Sequence, residues 1–138
     1  MGLQIETILN ATTRQEIDLA FLALSRDPPD ALFVAPDGFF VSRSGQLAIL
    51  AAVNKIPAVY WNRTFVAAGG LMSYGSDIAN MQRQVGIYAG KILKGAKPAE
   101  LPVLQSTKFE LAINMQTAQA IGIEVPPGLL SIADEVIE

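Results

Sequence analysis

The sequence predicts an α/β protein in which helices cover both faces of a mainly parallel sheet, a three-layer Rossmann-like fold. Residues 31–36 and 56–61 form short, almost continuously apolar runs, which are typical of strands that are buried on both faces. Amphipathic helical patterns separate these runs along the chain, and strands that alternate with helices favour this class of fold.

The composition narrows the kinds of site that the chain can hold. Its 138 residues are enough for one domain with a buried core, and we expect a single domain over residues 1–138. Cysteine and histidine are absent, which excludes disulfides and removes the usual zinc ligands and general base. We therefore expect no metal and no cofactor. The net charge of −3 argues against a nucleic-acid partner, which requires a basic surface.

The chain contains few charged residues for its size. Only 17% of the residues are charged, against roughly 25% in an average soluble domain. No apolar run approaches the roughly 20 residues that cross a bilayer, so we expect no membrane span. Two explanations stay open, a dense α/β core or a surface that a partner covers.

A strand and a helix are predicted at the start of the chain. Residues 3–9 alternate apolar and polar side chains, which indicates a strand. Thr13 and Glu16 have the spacing of a capping box, so a helix is expected to begin near Thr13 and to end before the prolines at positions 28 and 29. The apolar face of this helix consists of Ile17, Ala20, Phe21 and Leu24.

The middle of the chain predicts a strand, a helix and another strand. The run at 31–36 is the strand, the stretch DGFFVSRS that follows is a loop, and residues 44–54 form the helix. Residues 56–61 are the next strand.

A long amphipathic helix follows in the second half of the chain. Ser76 or Asp77 caps its start, and Gly95 followed by Pro98 ends it.

The C-terminal part predicts shorter elements. Residues 94–103 are an exposed linker, and residues 107–113 form a strand with one wetter face. Asn114 caps a short helix over residues 115–121, and Gly122 ends it. The remaining residues predict a turn and then a final short helix or an extended tail.

Ligands of parallel sheets bind at the carboxyl ends of the strands, which selects the loops 10–13, 36–40 and 61–74. In the second loop, Asp37 can accept hydrogen bonds from a ligand ammonium or hydroxyl, and Phe39 or Phe40 can stack on the ligand. The alternative is an ordinary Pro-Asp-Gly turn followed by two core phenylalanines.

The third loop contains the other candidate ligand residues. Arg63 is either a fork for a ligand carboxylate or a solvated loop arginine. The stretch AAGGLMSYG offers Gly70, where a ligand can approach the main chain, and the hydroxyls of Ser73 and Tyr74; a tight turn into an edge strand is the alternative. Neither a nucleophile with its base nor a phosphate-binding glycine pattern is present, so the sequence does not predict an enzyme.

Four segments together resemble the C-terminal half of the ABC-transporter substrate-binding protein family: FVAAGGLMSYG, ILKGAKPAELPV, TKFELAIN and ADEVIE. The resemblance extends over nearly the whole chain and is to the tryptophan and aromatic-amino-acid type, which has the periplasmic-binding-protein type I fold. It implies that the chain is the C-terminal lobe of a two-lobed protein, which traps a small solute such as an amino acid and serves an ABC permease. It also favours the ligand role of Asp37, Phe40, Arg63 and Tyr74.

The resemblance implies that the long helix, residues 77–95, contacts a second lobe. In similar proteins a late helix crosses back to pack on the N-terminal lobe, and this helix corresponds to it by position. Its apolar face would then be an interface formed by Ile78, Met81, Val85, Tyr88 and Ile92. Without that lobe, we expect the face to fold onto its own sheet or to pair in a homodimer through residues 77–94, because burial of each side chain contributes roughly 1.5–3 kcal/mol.

Three functions are consistent with the fold class and the resemblance. The first is the ligand-binding lobe of an importer's binding protein, which binds without catalysis. The second is a truncated lobe that acts as a dimeric assembly or regulatory module with no transport role. The third, a flavodoxin-like or response-regulator-like protein, is disfavoured because ILNATT lacks the acidic cluster of a receiver. The parent family is periplasmic, whereas MGLQIETIL has no export-signal pattern and predicts a cytoplasmic location for the chain as given.

Overall fold

The computed structural model describes residue 2, residues 4–104 and residues 108–138. In this part of the chain, five strands form one sheet in sequential order. They are β1 (Leu32–Val34), β2 (Ala58–Tyr60), β3 (Met72–Ser76), β4 (Phe109–Asn114) and β5 (Glu135–Ile137). The pairs β1–β2, β2–β3 and β4–β5 are parallel and β3–β4 is antiparallel, so the predicted mainly parallel sheet is confirmed.

Seven α-helices lie in the described residues. They are α1 (Arg14–Leu24), α2 (Gly38–Ser42), α3 (Ser44–Val53), α4 (Arg63–Ala67), α5 (Ile78–Leu93), α6 (Met115–Ile121) and α7 (Pro127–Leu130), and a 3-10 turn spans Pro98–Glu100. The helices predicted from Thr13, over 44–54, over 77–94 and over 115–121 are confirmed as α1, α3, α5 and α6.

Two clusters of buried side chains lie on opposite faces of the sheet, which confirms the three-layer class. Tyr60, Ser73 and Ala112 are neighbours across β2, β3 and β4, so they point to one face. On that face α1 and α3 pack over β1 and β2 through Ile17, Phe21, Leu24, Leu47 and Ala51. Side chains of β4 that point to the other face, Leu111 and Ile113, pack with Ala118 and Ile121 of α6.

The N-terminal segment differs from its prediction. Leu3 lies outside the described residues, and residues 4–9 form no strand. Ile5 and Ile8 are 83% and 76% exposed. The alternation predicted a strand, but a strand also needs a neighbour for its backbone hydrogen bonds. Within the described residues β1 lies at the edge of the sheet and pairs only with β2, and residues 4–9 do not pair with its free edge.

Two predicted loops contain helices instead. The stretch DGFFVSRS forms α2, because the Asp37 carboxylate accepts a hydrogen bond from the Phe39 amide at 2.7 Å and caps the helix. Asn62 caps α4 in the same way within the predicted loop 61–74, where its side chain accepts from the Thr64 amide at 2.8 Å. The C-terminal residues form both a short helix, α7, and a strand, β5, whose Glu135 is paired with Ala112 of β4.

Helix α5 has 16 residues and buries none of them. Val85 is 70% and Leu93 is 88% exposed. The Tyr88 hydroxyl donates a hydrogen bond to the Pro102 carbonyl at 2.6 Å, so the helix contacts the chain that follows it. The expected fold-back of α5 onto its own sheet does not occur, and its pairing with another surface stays a prediction. No described helix is both long and apolar enough to cross a membrane.

Candidate functional site

A cleft of about 240 Å³ lies at the carboxyl ends of β2 and β3, and we call it the strand-end cleft. The turn from β2 into α4, the end of β3, the first turns of α5 and one residue of β4 form its wall. These parts contribute Trp61, Asn62, Arg63, Thr64, Gly75, Ser76, Ile78, Ala79, Gln82 and Glu110. Ligands of parallel sheets bind at this edge.

Asn62 fixes the turn that brings Arg63 and Thr64 to the cleft. Its side-chain oxygen binds the Thr64 amide, which ends the extended chain after β2 and begins α4. Asparagine is among the strongest N-cap residues because its side chain satisfies a helix amide that has no partner within the helix. The local sequence NRT therefore places polar side chains at the carboxyl end of a buried strand.

The main chain of Trp61 lies directly against β3 at Gly75. A Cβ atom at position 75 would be 1.9 Å from the Trp61 carbonyl oxygen, so only glycine fits. The Trp61 side chain is half-buried against the core cluster of α1 and α3. Its indole nitrogen is buried and has no hydrogen-bond acceptor among the described residues. The sheet thus fixes one wall of the cleft through backbone contact.

A second cavity of about 290 Å³ lies beside the strand-end cleft, and we call it the β5 pocket. Arg63 and Glu110 line both cavities. The Arg63 guanidinium forms an ion pair with Glu135 of β5: Nε and Nη2 donate to the same carboxylate oxygen, at 3.0 Å and 2.5 Å. Arg63 and Glu110 therefore lie where the cavities adjoin, and the carboxylates of Asp134 and Glu135 line the β5 pocket beside them.

Asp77 and Lys108 fix the point where β3 passes into α5, next to the cleft. The buried Asp77 carboxylate accepts hydrogen bonds from the Asn80 amide at 2.8 Å and from the Lys108 ammonium at 2.9 Å. The Asn80 bond and then the Lys108 bond hold the pKa of Asp77 below its usual value. Asp77 in turn raises the pKa of Lys108. Both groups are charged at neutral pH and hold the start of α5 in place.

The candidates of the second predicted loop lie at the same sheet edge but line neither cavity. Asp37 is exposed, and its carboxylate caps α2. Phe39 and Phe40 are half-buried against the core cluster of α1 and α3, with ring centroids 5.8 Å apart. The Arg43 guanidinium lies 5.9 Å from the centre of the Phe39 ring.

Arg63 is the sole predicted ligand residue in the cleft wall; the expected meeting of Gly70, Ser73 and Tyr74 with it does not occur. Gly70 precedes β3 and so lies at the amino end of that strand, where an added Cβ would be 2.6 Å from the Tyr60 ring. Ser73 is buried within β3. Tyr74 points to the α6 face because strand side chains alternate, and it stacks there on Phe109 at 5.6 Å.

Most residues of the two cavities are not identified from the sequence, among them Trp61, Gly75, Glu110 and Glu135. The sequence signal for Gly75 was a glycine inside a strand pattern, which often marks a close backbone approach. Glu110 and Glu135 carried no comparable signal. Their positions depend on the antiparallel pairing of β4 with β3 and on the pairing of β5 with β4.

The chain is similar in sequence to a known binding protein and similar in structure to domains that have been solved. The tyrosine-binding protein of Clostridioides difficile (strain R20291) is 28% identical over 95 residues, which are 69% of this chain and 28% of that protein. A solved ABC domain in complex with L-Trp, from Streptococcus pneumoniae, has a TM-score of 0.80 and 28% identity over 94% of this chain and 44% of that one. A solved conserved domain protein from Vibrio cholerae O1 biovar El Tor has a TM-score of 0.80 and 25% identity over 91% of this chain and 42% of that one.

The chain spans less than half the length of these relatives. Its fold corresponds to one lobe of a type I periplasmic binding protein, as the resemblance implied. The family described as ABC transporter substrate binding protein matches residues 1–137. This match covers almost the whole chain, and the chain therefore belongs to that family.

Proposed function

We propose that this chain is a ligand-binding lobe that holds an amino acid, with an aromatic side chain, in the strand-end cleft and performs no catalysis. The observation that carries the proposal is the meeting of Trp61, Arg63 and Glu110 at the carboxyl ends of parallel strands. Relatives that bind tyrosine or are solved with L-Trp support this class of ligand.

The wall of the strand-end cleft offers a binding partner for the carboxylate, the ammonium group and the side chain of an amino acid. The Arg63 guanidinium offers a planar set of donors to the carboxylate. The Glu110 carboxylate offers an acceptor to the ammonium group. The Trp61 ring is half-buried, and we propose that its exposed part stacks on the ring of the ligand. The three groups come from α4, β4 and the turn between β2 and α4, so the sheet sets the distances between them.

The partner and location proposed for the whole protein follow the family. We propose that it works in the periplasm or outside the cell and delivers its ligand to an ABC permease. In such proteins the second lobe supplies the other wall of the site and excludes water. We therefore expect the chain of 138 residues to bind weakly, with a dissociation constant on the order of a millimolar.

The single tryptophan makes the cleft directly observable. Titration with L-tyrosine, with excitation beyond tyrosine absorption, is expected to change Trp61 emission in a saturable way, whereas L-glutamate is expected to leave it unchanged. Glu110→Gln should weaken L-tyrosine binding because the ammonium loses its charged partner. Glu124→Gln removes a charge at an exposed position outside both cavities and is the matched control. Unchanged Trp61 emission up to the solubility limit of L-tyrosine would contradict the proposal.

A second candidate function, a dimeric assembly module, is favoured by the exposed apolar face of α5. We propose that Met81, Val85 and Ile92 of this face pack against a second copy of the chain. Burial of each side chain would contribute roughly 1.5–3 kcal/mol. Light scattering over a dilution series is expected to show a dimer that Val85→Glu dissociates. Ile87→Glu places the same charge on the opposite side of the helix and should leave the dimer intact. A monomer at all concentrations would rule this function out.

A further inference from the structure

The Arg63 side chain is held from one side only. Two of its donors, Nε and Nη2, converge on a single oxygen of Glu135. A guanidinium has five N–H donors arranged in a plane, so this contact uses one edge of the group. Among the described residues Nη1 has no hydrogen-bond partner. The other edge of the guanidinium is therefore open to a ligand.

The positions of the two residues relative to the cavities indicate where the open edge lies. Arg63 lines both the strand-end cleft and the β5 pocket, whereas Glu135 lines the β5 pocket but not the cleft. Glu135 thus forms its ion pair with the guanidinium from the β5 side. Asn62, Thr64 and Ser76 line the strand-end cleft together with Arg63 and can serve as polar neighbours for an anionic group.

We propose that Glu135 is a positioning residue for the ligand site: it holds the Arg63 guanidinium so that the open edge faces the strand-end cleft and receives the ligand's carboxylate. This inference rests on the proposed amino-acid site. It assigns a binding role to the C-terminal strand, which is 72 residues away from Arg63 in sequence.

Positioning has a physical basis because both side chains are partly exposed. The Arg63 and Glu135 side chains are 56% and 40% exposed, so an arginine without this partner would sample many rotamers. A ligand would then have to order the side chain before it could use it, which weakens binding. The register of β5, with Glu135 opposite Ala112, keeps the carboxylate at the correct distance.

The negative charge of Glu135 also competes with a ligand carboxylate for Arg63. Positioning and competition therefore predict opposite changes in ligand affinity when that charge is removed. If Glu135 only competed with the ligand for Arg63, its neutralisation would strengthen binding of a carboxylate. If Glu135 positions Arg63, its neutralisation weakens binding of a carboxylate and leaves ligands without one unaffected. The sign of a single measured change therefore decides between the two roles.

The test compares L-tryptophan with tryptamine, which has the same ring and ammonium but lacks the carboxylate. Dissociation constants are measured for the full chain by amide chemical shifts during titration. In Glu135→Gln we expect L-tryptophan to bind roughly fivefold more weakly, the upper range for an exposed ion pair, and tryptamine to bind as in the wild type. Glu138→Gln, which makes the same charge change three residues further on, should alter neither constant.

A second variant separates positioning from a general effect on the fold. Arg63→Lys removes the planar fork, so the additional change Glu135→Gln should have no further effect on L-tryptophan binding. Unchanged or stronger L-tryptophan binding in Glu135→Gln would overturn the inference, as would an equal loss for tryptamine. Wild-type protein that binds neither compound would instead contradict the proposed amino-acid site, and the inference with it.

Discussion

The carbonyl oxygen of Trp61 occupies the space that a Cβ atom at Gly75 would need, at a distance of 1.9 Å. The contact joins the turn after β2 to the end of β3 and brings the main chains together at the strand-end cleft. It explains a glycine near the end of β3, since glycine within a strand otherwise weakens the structure.

We expect Gly75→Ala to lower the free energy of unfolding by about 1–3 kcal/mol, because the methyl group must push Trp61 off the sheet. Urea denaturation followed by circular dichroism measures the loss. Gly86→Ala is the matched control: a Cβ there meets open space on α5, and removal of a helical glycine should raise stability by about 0.5–1 kcal/mol. Equal effects of the two variants would show that the Trp61 contact does not constrain position 75.

A substitution at Tyr60 is expected to raise the free energy of unfolding, whereas Gly75→Ala lowers it. Its ring is fully buried and stacks on Phe65 with centroids 4.6 Å apart, but its hydroxyl has no hydrogen-bond partner among the described residues. Burial accordingly raises the pKa of Tyr60. Tyr60→Phe keeps the stacking and removes the unsatisfied group, so we expect stability to rise by about 1 kcal/mol in urea denaturation.

The control for Tyr60 is a tyrosine that has a partner. Tyr88→Phe loses the hydrogen bond from its hydroxyl to the Pro102 carbonyl and should lower stability by about 0.5–1.5 kcal/mol. A loss of stability in Tyr60→Phe would mean that its hydroxyl is satisfied in solution, for example by a buried water.

Asp77 and Lys108 predict how stability depends on pH. The folded state lowers the pKa of Asp77, so its contribution is complete above the ordinary Asp pKa of about 4 and disappears as the pH falls through the folded value. The folded state raises the pKa of Lys108, so its contribution is complete below about pH 10 and disappears as the pH rises through the folded value. The pair therefore stabilises the fold across the neutral range.

Asp77→Asn tests this pair, because asparagine can still cap α5 and only the charge is lost. We expect the variant to be less stable than the wild type at neutral pH and the difference to vanish in strong acid, as measured by urea denaturation across pH. Asp30→Asn removes an exposed carboxylate with no ion pair among the described residues and should show no such pH dependence. If the stability difference between wild type and Asp77→Asn persists unchanged in acid, it arises from a change in packing or hydrogen bonding and not from the lost charge.

The features that the sequence predicted correctly depend on local chemistry. Thr13 and Glu16 form the expected capping box at the start of α1, and Asn114 caps α6 as expected. Gly122 ends α6 with a φ of +80°, a conformation that favours glycine. Each of these signals acts within a few residues, so one sequence is sufficient to find it.

The features that were missed depend on which strands become neighbours. Residues 4–9 have a strand pattern but join no strand in the described structure. Tyr74 is on the α6 face and Glu110 is at the cleft because of the register between β3 and β4. The sequence identifies Arg63 as a candidate but not its partner in β5, because no local pattern at Arg63 or Glu135 indicates the other residue.

Helix α5 has its own cap and its own apolar stripe, yet it has no core beneath it. Its amides can therefore exchange with deuterium by local fraying, without the global unfolding that the strands require. Slow exchange in this helix would then report contact with another surface, and its rate would measure how tightly that surface holds it. Helix α5 contributes no buried side chain, so the exchange rates of its 16 residues would report whether the lobe has bound a partner surface.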